Sequence, residues 1–124
     1  MIVSVGVDIV ELERFRQAAE RWGLRFLQRL FSPEELSWCQ QKARPYESLA
    51  VRFAAKEAVM KALGPQGLGF RDILVLSSPE GRPELGGTER LQQALHKRGV
   101  VRLHLSLAHH GSYGVALVVA EGRG

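Results

Sequence analysis

From residue 2 to residue 10, hydrophobic positions alternate with small or polar ones: Val3, Val5, Val7 and Ile9 face one way, and Ser4, Gly6 and Asp8 the other. A period of two marks a half-buried strand, here one that ends in a carboxylate. The period then lengthens, with Leu12, Phe15 and Ala19 at helical spacing, and Gly23 breaks the pattern, which predicts two short helices. Ser32-Pro33-Glu34-Glu35 combines an N-cap serine, a proline at the first helical position and acids at the positive end of the dipole, so a helix is expected from there to about Lys42. Residues 47–63, ESLAVRFAAKEAVMKAL, are rich in strong helix formers and carry Leu49, Phe53, Val59, Met60 and Leu63 as an apolar surface. This is expected to be the longest helix. Gly64-Pro65 stops it, and Gly67 and Gly69 extend the break into a loop with accessible backbone. Beyond lie a strand over 73–76, a turn at Pro79-Glu80-Gly81, a short strand near 83–85 and a helix over 89–97. VVRLHLSLAHH and SYGVALVVA, on either side of His110-Gly111-Ser112, read as a β-hairpin. The expected fold class is α+β, a small antiparallel sheet packed on helices.

Size changes this picture only by bounding it. At 124 residues, 45% hydrophobic and 24% charged, the chain suits a single domain, 1–124, with a real core. The N-terminal MIVSVGVDIV lacks a basic flank and reaches Asp8 too early for a signal peptide, and no stretch approaches the roughly 20 apolar residues of a membrane span. No membrane partner is expected. Cys39 stands alone, which excludes an intramolecular disulfide and fits a reducing, cytoplasmic setting, with the thiol as helix filler. The formal charge of +4 favours acidic partners through the long-range field, without saying which acid.

Chemistry enters at Asp8. A carboxylate directly after aliphatic strand residues, beside the bare backbone of Gly6, can hold a cation close to the main chain, or it can cap the following helix. Glu57 shares a helix face with Phe53 and Met60, at the edge of the buried stripe where an acid needs a partner. Lys61 follows one turn later, and the two alone would make an ordinary helix ion pair worth about 0.3 to 0.5 kcal/mol. Asp8 and Glu57 together supply the two oxygen ligands that magnesium usually takes from protein, leaving its other positions for water and phosphate. Lys61 would then neutralise phosphate, and the LGPQGLG loop could bring backbone N–H groups to it, although it matches no Walker pattern. On the penultimate strand His104 and Ser106 point the same way, while His109 goes with Leu105 and Leu107 unless the strand has ended.

Three stretches, GVDIVELERF at 6–15, RFAAKEAVMKALG at 52–64 and LSLAHHGSYGVALVVAE at 105–121, occur in the order and separation found in one family. The chain resembles the holo-acyl-carrier-protein synthases, the small bacterial 4'-phosphopantetheinyl transferases. The resemblance implies the short trimeric form of that fold, with active sites between neighbouring subunits. It implies transfer of the phosphopantetheine arm of coenzyme A to a serine of acyl carrier protein for fatty acid synthesis, releasing adenosine 3',5'-bisphosphate. It assigns Asp8 and Glu57 to Mg2+ and Lys61 to phosphate near the reacting centre. Arg52, Gly64, His104, Ser106 and His109 fall where the family lines the cofactor or the interface, and Arg14, Arg21 and Arg25 on the helix that docks the carrier. The base that takes the serine proton is left among Glu57, a water on the metal and neutral Lys61. Residues 76–99 match only loosely and receive no role.

Two other classes are weaker on the same residues. A metal nuclease of the Asp…Glu-x-Lys type wants its glutamate and lysine two apart on a strand, whereas Glu57 and Lys61 are four apart in a strong helix former. An RNA-binding module wants stacking aromatics within a basic surface, but aromatic residues make up 7% of the chain and no RNP-like run exists. No nucleic-acid partner is expected.

Overall fold

The computed structural model describes all residues, Met1–Gly124. Chain order is β1 (Ile2–Glu11), α1 (Leu12–Leu30), α2 (Pro33–Gln40), α3 (Pro45–Leu63), a 3₁₀ turn (Phe70–Asp72), β2 (Ile73–Ser77), β3 (Pro83–Gly87), α4 (Glu89–Lys97), β4 (Val100–His110) and β5 (Tyr113–Gly122). The strands form an antiparallel sheet of order β1-β5-β4 and a separate β2-β3 ribbon. The expected α+β class and every expected element are present. No helix is long and apolar enough to cross a membrane.

The local chemistry accounts for most boundaries. Gly23, at φ 73° and ψ −160°, breaks α1 into two short helices joined end to end. At the start of α2 the Ser32 hydroxyl accepts the Glu35 N–H, and the Glu35 carboxylate accepts the Ser32 N–H at 2.9 Å. That helix stops at Gln40, short of Lys42, and α3 begins at Pro45, ahead of Glu47, because proline is pre-set for the first helical position. The β4-β5 loop is Gly111-Ser112, and Gly111 supplies the positive φ of 60° that so tight a hairpin requires. Its tip is seated on the rest of the fold, since the Ser112 carbonyl accepts the Leu12 N–H at 2.8 Å.

The sheet lies on α3. Ala54, Ala55, Ala58 and Ala62 of the helix meet Ala116, Val118 and Ala120 of β5 in the larger core, and small residues on both sides let the backbones approach. That approach decides which face of β1 turns inward. Its aliphatic face points outward, with Val5 53%, Val7 55% and Ile9 62% exposed, while Ser4, Gly6 and Asp8 face the helix. Periodicity shows alternation but not which face wins, and here contact distance decides: a Cβ at Gly6 would collide with the Ala58 carbonyl oxygen. Gly6→Ala is therefore expected to cost about 1–3 kcal/mol, read as a lowered urea midpoint, because the obstacle is backbone and has no rotamer to yield. An unchanged midpoint would show that β1 is free to lift.

A second core gathers Leu12, Phe15, Ala19, Leu30, Phe31, Cys39, Leu49 and Ala50 between α1, α2 and the first half of α3. Cys39 is buried filler, as expected, and burial pushes its thiol pKa up. Between the two cores sits a pair that pattern reading missed. Lys56 and Glu35 are both wholly buried, with Lys56 Nζ donating to Glu35 Oε1 at 2.7 Å, to the Leu30 carbonyl at 2.8 Å and to the Phe70 carbonyl at 3.1 Å. Glu35 Oε2 accepts the Val75 N–H at 2.9 Å, so one ion pair ties α1, α2, α3, the 3₁₀ turn and β2.

Candidate active site

Seating β1 on α3 carries Asp8 to the helix face that holds Glu57 and Lys61. Lys61 Nζ donates to Asp8 Oδ1 at 2.6 Å and to the Val7 carbonyl at 3.2 Å, so the lysine reaches across to the strand and does not bridge back to Glu57 along its own helix. Glu57 is half-buried, and its pKa is raised, first by burial and then by the Asp8 charge, with Lys61 pulling the other way. Asp8 stands near enough for its charge to oppose ionisation of Glu57. Asp8 and Glu57 thus converge within one chain. Lys61 is shifted upward, chiefly by its hydrogen bond to Asp8, and stays protonated.

This cluster opens into a recess of about 410 Å³ whose wall includes Glu57, Lys61, Gly64 and Gly67. Gly64 and Gly67 hold φ of 75° and 69°, the left-handed region in which glycine alone is unstrained. The donor set suits magnesium. No group of three or more His, Cys, Asp or Glu side chains comes together anywhere, so a zinc-type cage is not available within the chain, whereas two oxygen donors match a hard ion that keeps several waters. Two carboxylates pressed together in a half-buried position repel each other, and a shared cation relieves that repulsion.

The other expected cofactor residues lie elsewhere. Arg52 is 8% exposed, with its guanidinium donating to the Ser48 carbonyl and hydroxyl and to the Ser77 hydroxyl, while its Nε has no partner. Together with Lys42, Arg44 and His109 it lines a second, basic recess at the N-terminal end of α3. His109 reaches it because β4 continues to His110 and keeps His109 in phase with Leu105 and Leu107. His104 and Ser106 are exposed on the opposite face of β4, with Val119 and Leu117 as strand partners, and His104 Nε2 lies 2.8 Å from Glu121 Oε1. Within one chain, then, Lys61 and Gly64 join the carboxylates, Arg52 and His109 line a separate recess, and His104 and Ser106 stand on the opposite face of β4.

Arg14, Arg21 and Arg25 are exposed along α1. Beside them Trp22 and Leu24 flank the Gly23 break with about three-fifths of their surface open (61% and 59%), and the Arg21 guanidinium lies 5.0 Å from the Trp22 ring centre. Sequence reading passed over Trp22. By spacing it continues the Leu12, Phe15, Ala19 stripe, and the break at Gly23 is what leaves it open to solvent.

Comparison with known proteins gives a coherent result. A holo-[acyl-carrier-protein] synthase of Salinispora arenicola is 48% identical over 122 residues, covering 98% of this chain and 99% of that protein. The crystal structure of the holo-[acyl-carrier-protein] synthase of Neisseria meningitidis superposes with a TM-score of 0.87 at 37% identity, over 98% of this chain and 99% of that one. The Helicobacter pylori holo-[acyl-carrier-protein] synthase, solved in complex with coenzyme A, has a TM-score of 0.81 at 31% identity over 94% of this chain and 99% of that one. The sequence model of the 4'-phosphopantetheinyl transferase superfamily matches residues 4–118, from the start of β1 into β5, and the chain belongs to that superfamily.

Proposed function

We propose that the protein transfers the 4'-phosphopantetheine arm of coenzyme A to a serine of apo acyl carrier protein, releasing adenosine 3',5'-bisphosphate, with Asp8 and Glu57 holding a magnesium ion. The observation that carries this reading is the meeting of those two carboxylates, from β1 and α3, beside Lys61. The serine oxygen bonds to the phosphorus bearing the pantetheine, the bond from that phosphorus to the bridging diphosphate oxygen breaks, and the serine proton leaves to a base. Magnesium, when bound, supplies positive charge to the diphosphate. Lys61 adds a second positive charge on a rigid helix, where the bridging oxygen becomes anionic. The hydrogen bond to Asp8 raises the Lys61 pKa, which favours the lysine as a charge over the lysine as the base, and Glu57 or solvent would then accept the proton. The role supplies holo carrier for fatty acid synthesis in the cytoplasm.

The working form in this proposal is a trimer, supported by the outer face of the sheet. Val5, Val7 and Ile9 of β1 pair in register with Val119, Leu117 and Val115 of β5, a continuous apolar surface left open in the single chain. A neighbouring subunit would cover it and bring Arg52, His109, His104 or Ser106 toward the carboxylate recess. Val7→Glu is expected to yield a monomer by sedimentation, with an unchanged far-UV spectrum and little transfer activity; an intact trimer would contradict the arrangement. Arg14, Arg21 and Arg25, with Trp22 between them, form the docking surface for the acidic carrier. Arg14→Glu is expected to raise KM for the carrier by about ten-fold and leave KM for coenzyme A nearly unchanged, because a rim charge steers the protein partner. Equal changes in both would count against docking on α1.

The direct test is incubation with apo carrier, coenzyme A and magnesium, followed by mass spectrometry. A gain on the carrier equal to one phosphopantetheine arm is expected. An unmodified carrier, with digestion or retention of nucleic acid instead, would replace this reading with one of its rivals.

A further inference from the structure

The glycine loop of the carboxylate recess is held from outside by a side chain that is not part of its wall. Arg90, in the first turn of α4, donates through Nη2 to the Gly67 carbonyl at 2.5 Å, and its Nη1 lies 3.9 Å from Asp72 Oδ2. Asp72 Oδ2 accepts the Gly69 N–H at 2.8 Å, and its Oδ1 accepts the Thr88 hydroxyl at 2.8 Å. The Thr88 N–H in turn donates to the Asp72 carbonyl at 3.0 Å, which fixes the start of α4 on the 3₁₀ turn. Gly67 and Gly69 are thereby gripped on the α4 side, while the N–H groups of Gln66, Gly67 and Leu68 donate to no backbone acceptor. In a trans peptide the C=O and the next N–H point in opposite directions, so a Gly67 carbonyl turned to Arg90 turns the Leu68 N–H away from α4.

We infer that Arg90, braced by Asp72 and Thr88, is a positioning residue for the nucleotide substrate: it holds the Gly67 carbonyl outward so that the loop presents N–H groups, and not a carbonyl oxygen, to the diphosphate. This rests on the transferase reading. Without the brace, Gly67 is free to rotate its carbonyl toward the recess, where it would repel phosphate. Asp72 supports the geometry electrostatically, its pKa lowered first by the Gly69 N–H and then by Thr88 and Arg90 against a partial desolvation cost, so it is anionic throughout the neutral range. Arg90 is well exposed, with 65% of its side chain open, so its replacement leaves both cores intact.

The test compares wild type, Arg90→Gln and Arg90→Lys in the transfer assay, varying coenzyme A and carrier separately, with amide hydrogen exchange followed over 66–69. Arg90→Gln is expected to raise KM for coenzyme A about five-fold, the scale of one exposed charged contact. Carrier KM and melting temperature stay unchanged, and exchange at Gly69 quickens. Arg90→Lys, which keeps the positive charge beside Asp72 and the reach to the Gly67 carbonyl, recovers part of the loss. An unchanged coenzyme A KM in Arg90→Gln, or an equal rise for both substrates, overturns the inference while leaving the transferase reading intact. Absence of transfer by the wild type would refute that reading instead, and unchanged exchange at Gly69 would then refute the brace as well.

Discussion

Glu57→Gln is expected to lower kcat/KM by about a hundred- to a thousand-fold, the range for removing one group that organises charge in the transition state. The side chain stays the same size and keeps its place between Phe53 and Met60, so the loss reads chemistry and not shape. Stability should move the other way. The folded state raises the pKa of Glu57 above its ordinary 4.5, so between those two values the folded protein binds more protons than the unfolded chain. Without metal, stability contributed by this group is present at acid pH and falls as pH rises through that window. Glutamine never ionises, so the variant should melt at or above the wild-type temperature at pH 7 in chelator. Activity unchanged at limiting magnesium would remove Glu57 from the site, and a large fall in melting temperature would reassign it to folding.

Lys56→Met is expected to cost about 3–5 kcal/mol, the range for leaving one member of a buried ion pair uncompensated. Glu35 would keep two backbone N–H donors, from Ser32 and Val75, but lose its counter-charge, and the Leu30 and Phe70 carbonyls would lose their shared donor. Burial pushes the Lys56 pKa down, and the neighbouring Glu35 opposes that shift. Denaturant unfolding of the single variant and of Lys56→Met with Glu35→Gln separates the effects. The double variant should regain part of the loss, because no unpaired charge remains. A single-variant cost below about 1 kcal/mol would mean that water reaches the pair and that it does not join the two cores.

The elements of this fold were legible because their signals are local. The Ser32 N-cap, the Gly23 and Gly64 breaks and the closing hairpin each depend on a few neighbouring residues, and each is found in place. The approach of Asp8 to Glu57 was suggested by their settings, an acid at a strand end and an acid at the rim of a buried helix face, although each also had a local alternative, helix capping for Asp8 and Lys61 for Glu57. The outward turn of Val5, Val7 and Ile9 was not legible, since the helix that selects the opposite face lies some fifty residues away along the chain. Lys56 hid for a related reason. A lysine among alanines resembles a solvated helix position until Glu35, from α2, is brought against it. Arg52 and His109 were singled out together, but only packing shows that they share one recess and that the carboxylates occupy another.

The central claim is that Asp8 and Glu57 hold one cation against the diphosphate of coenzyme A. A crystal grown with coenzyme A and Mn2+, measured for anomalous scattering at the manganese edge, tests it most directly. A single manganese peak is expected between Asp8 and Glu57, at roughly the 2.0–2.1 Å scale of a small hard ion on oxygen, with diphosphate oxygens and water as its other neighbours. Bound coenzyme A with no peak between those carboxylates, or with manganese held by other residues, would contradict it.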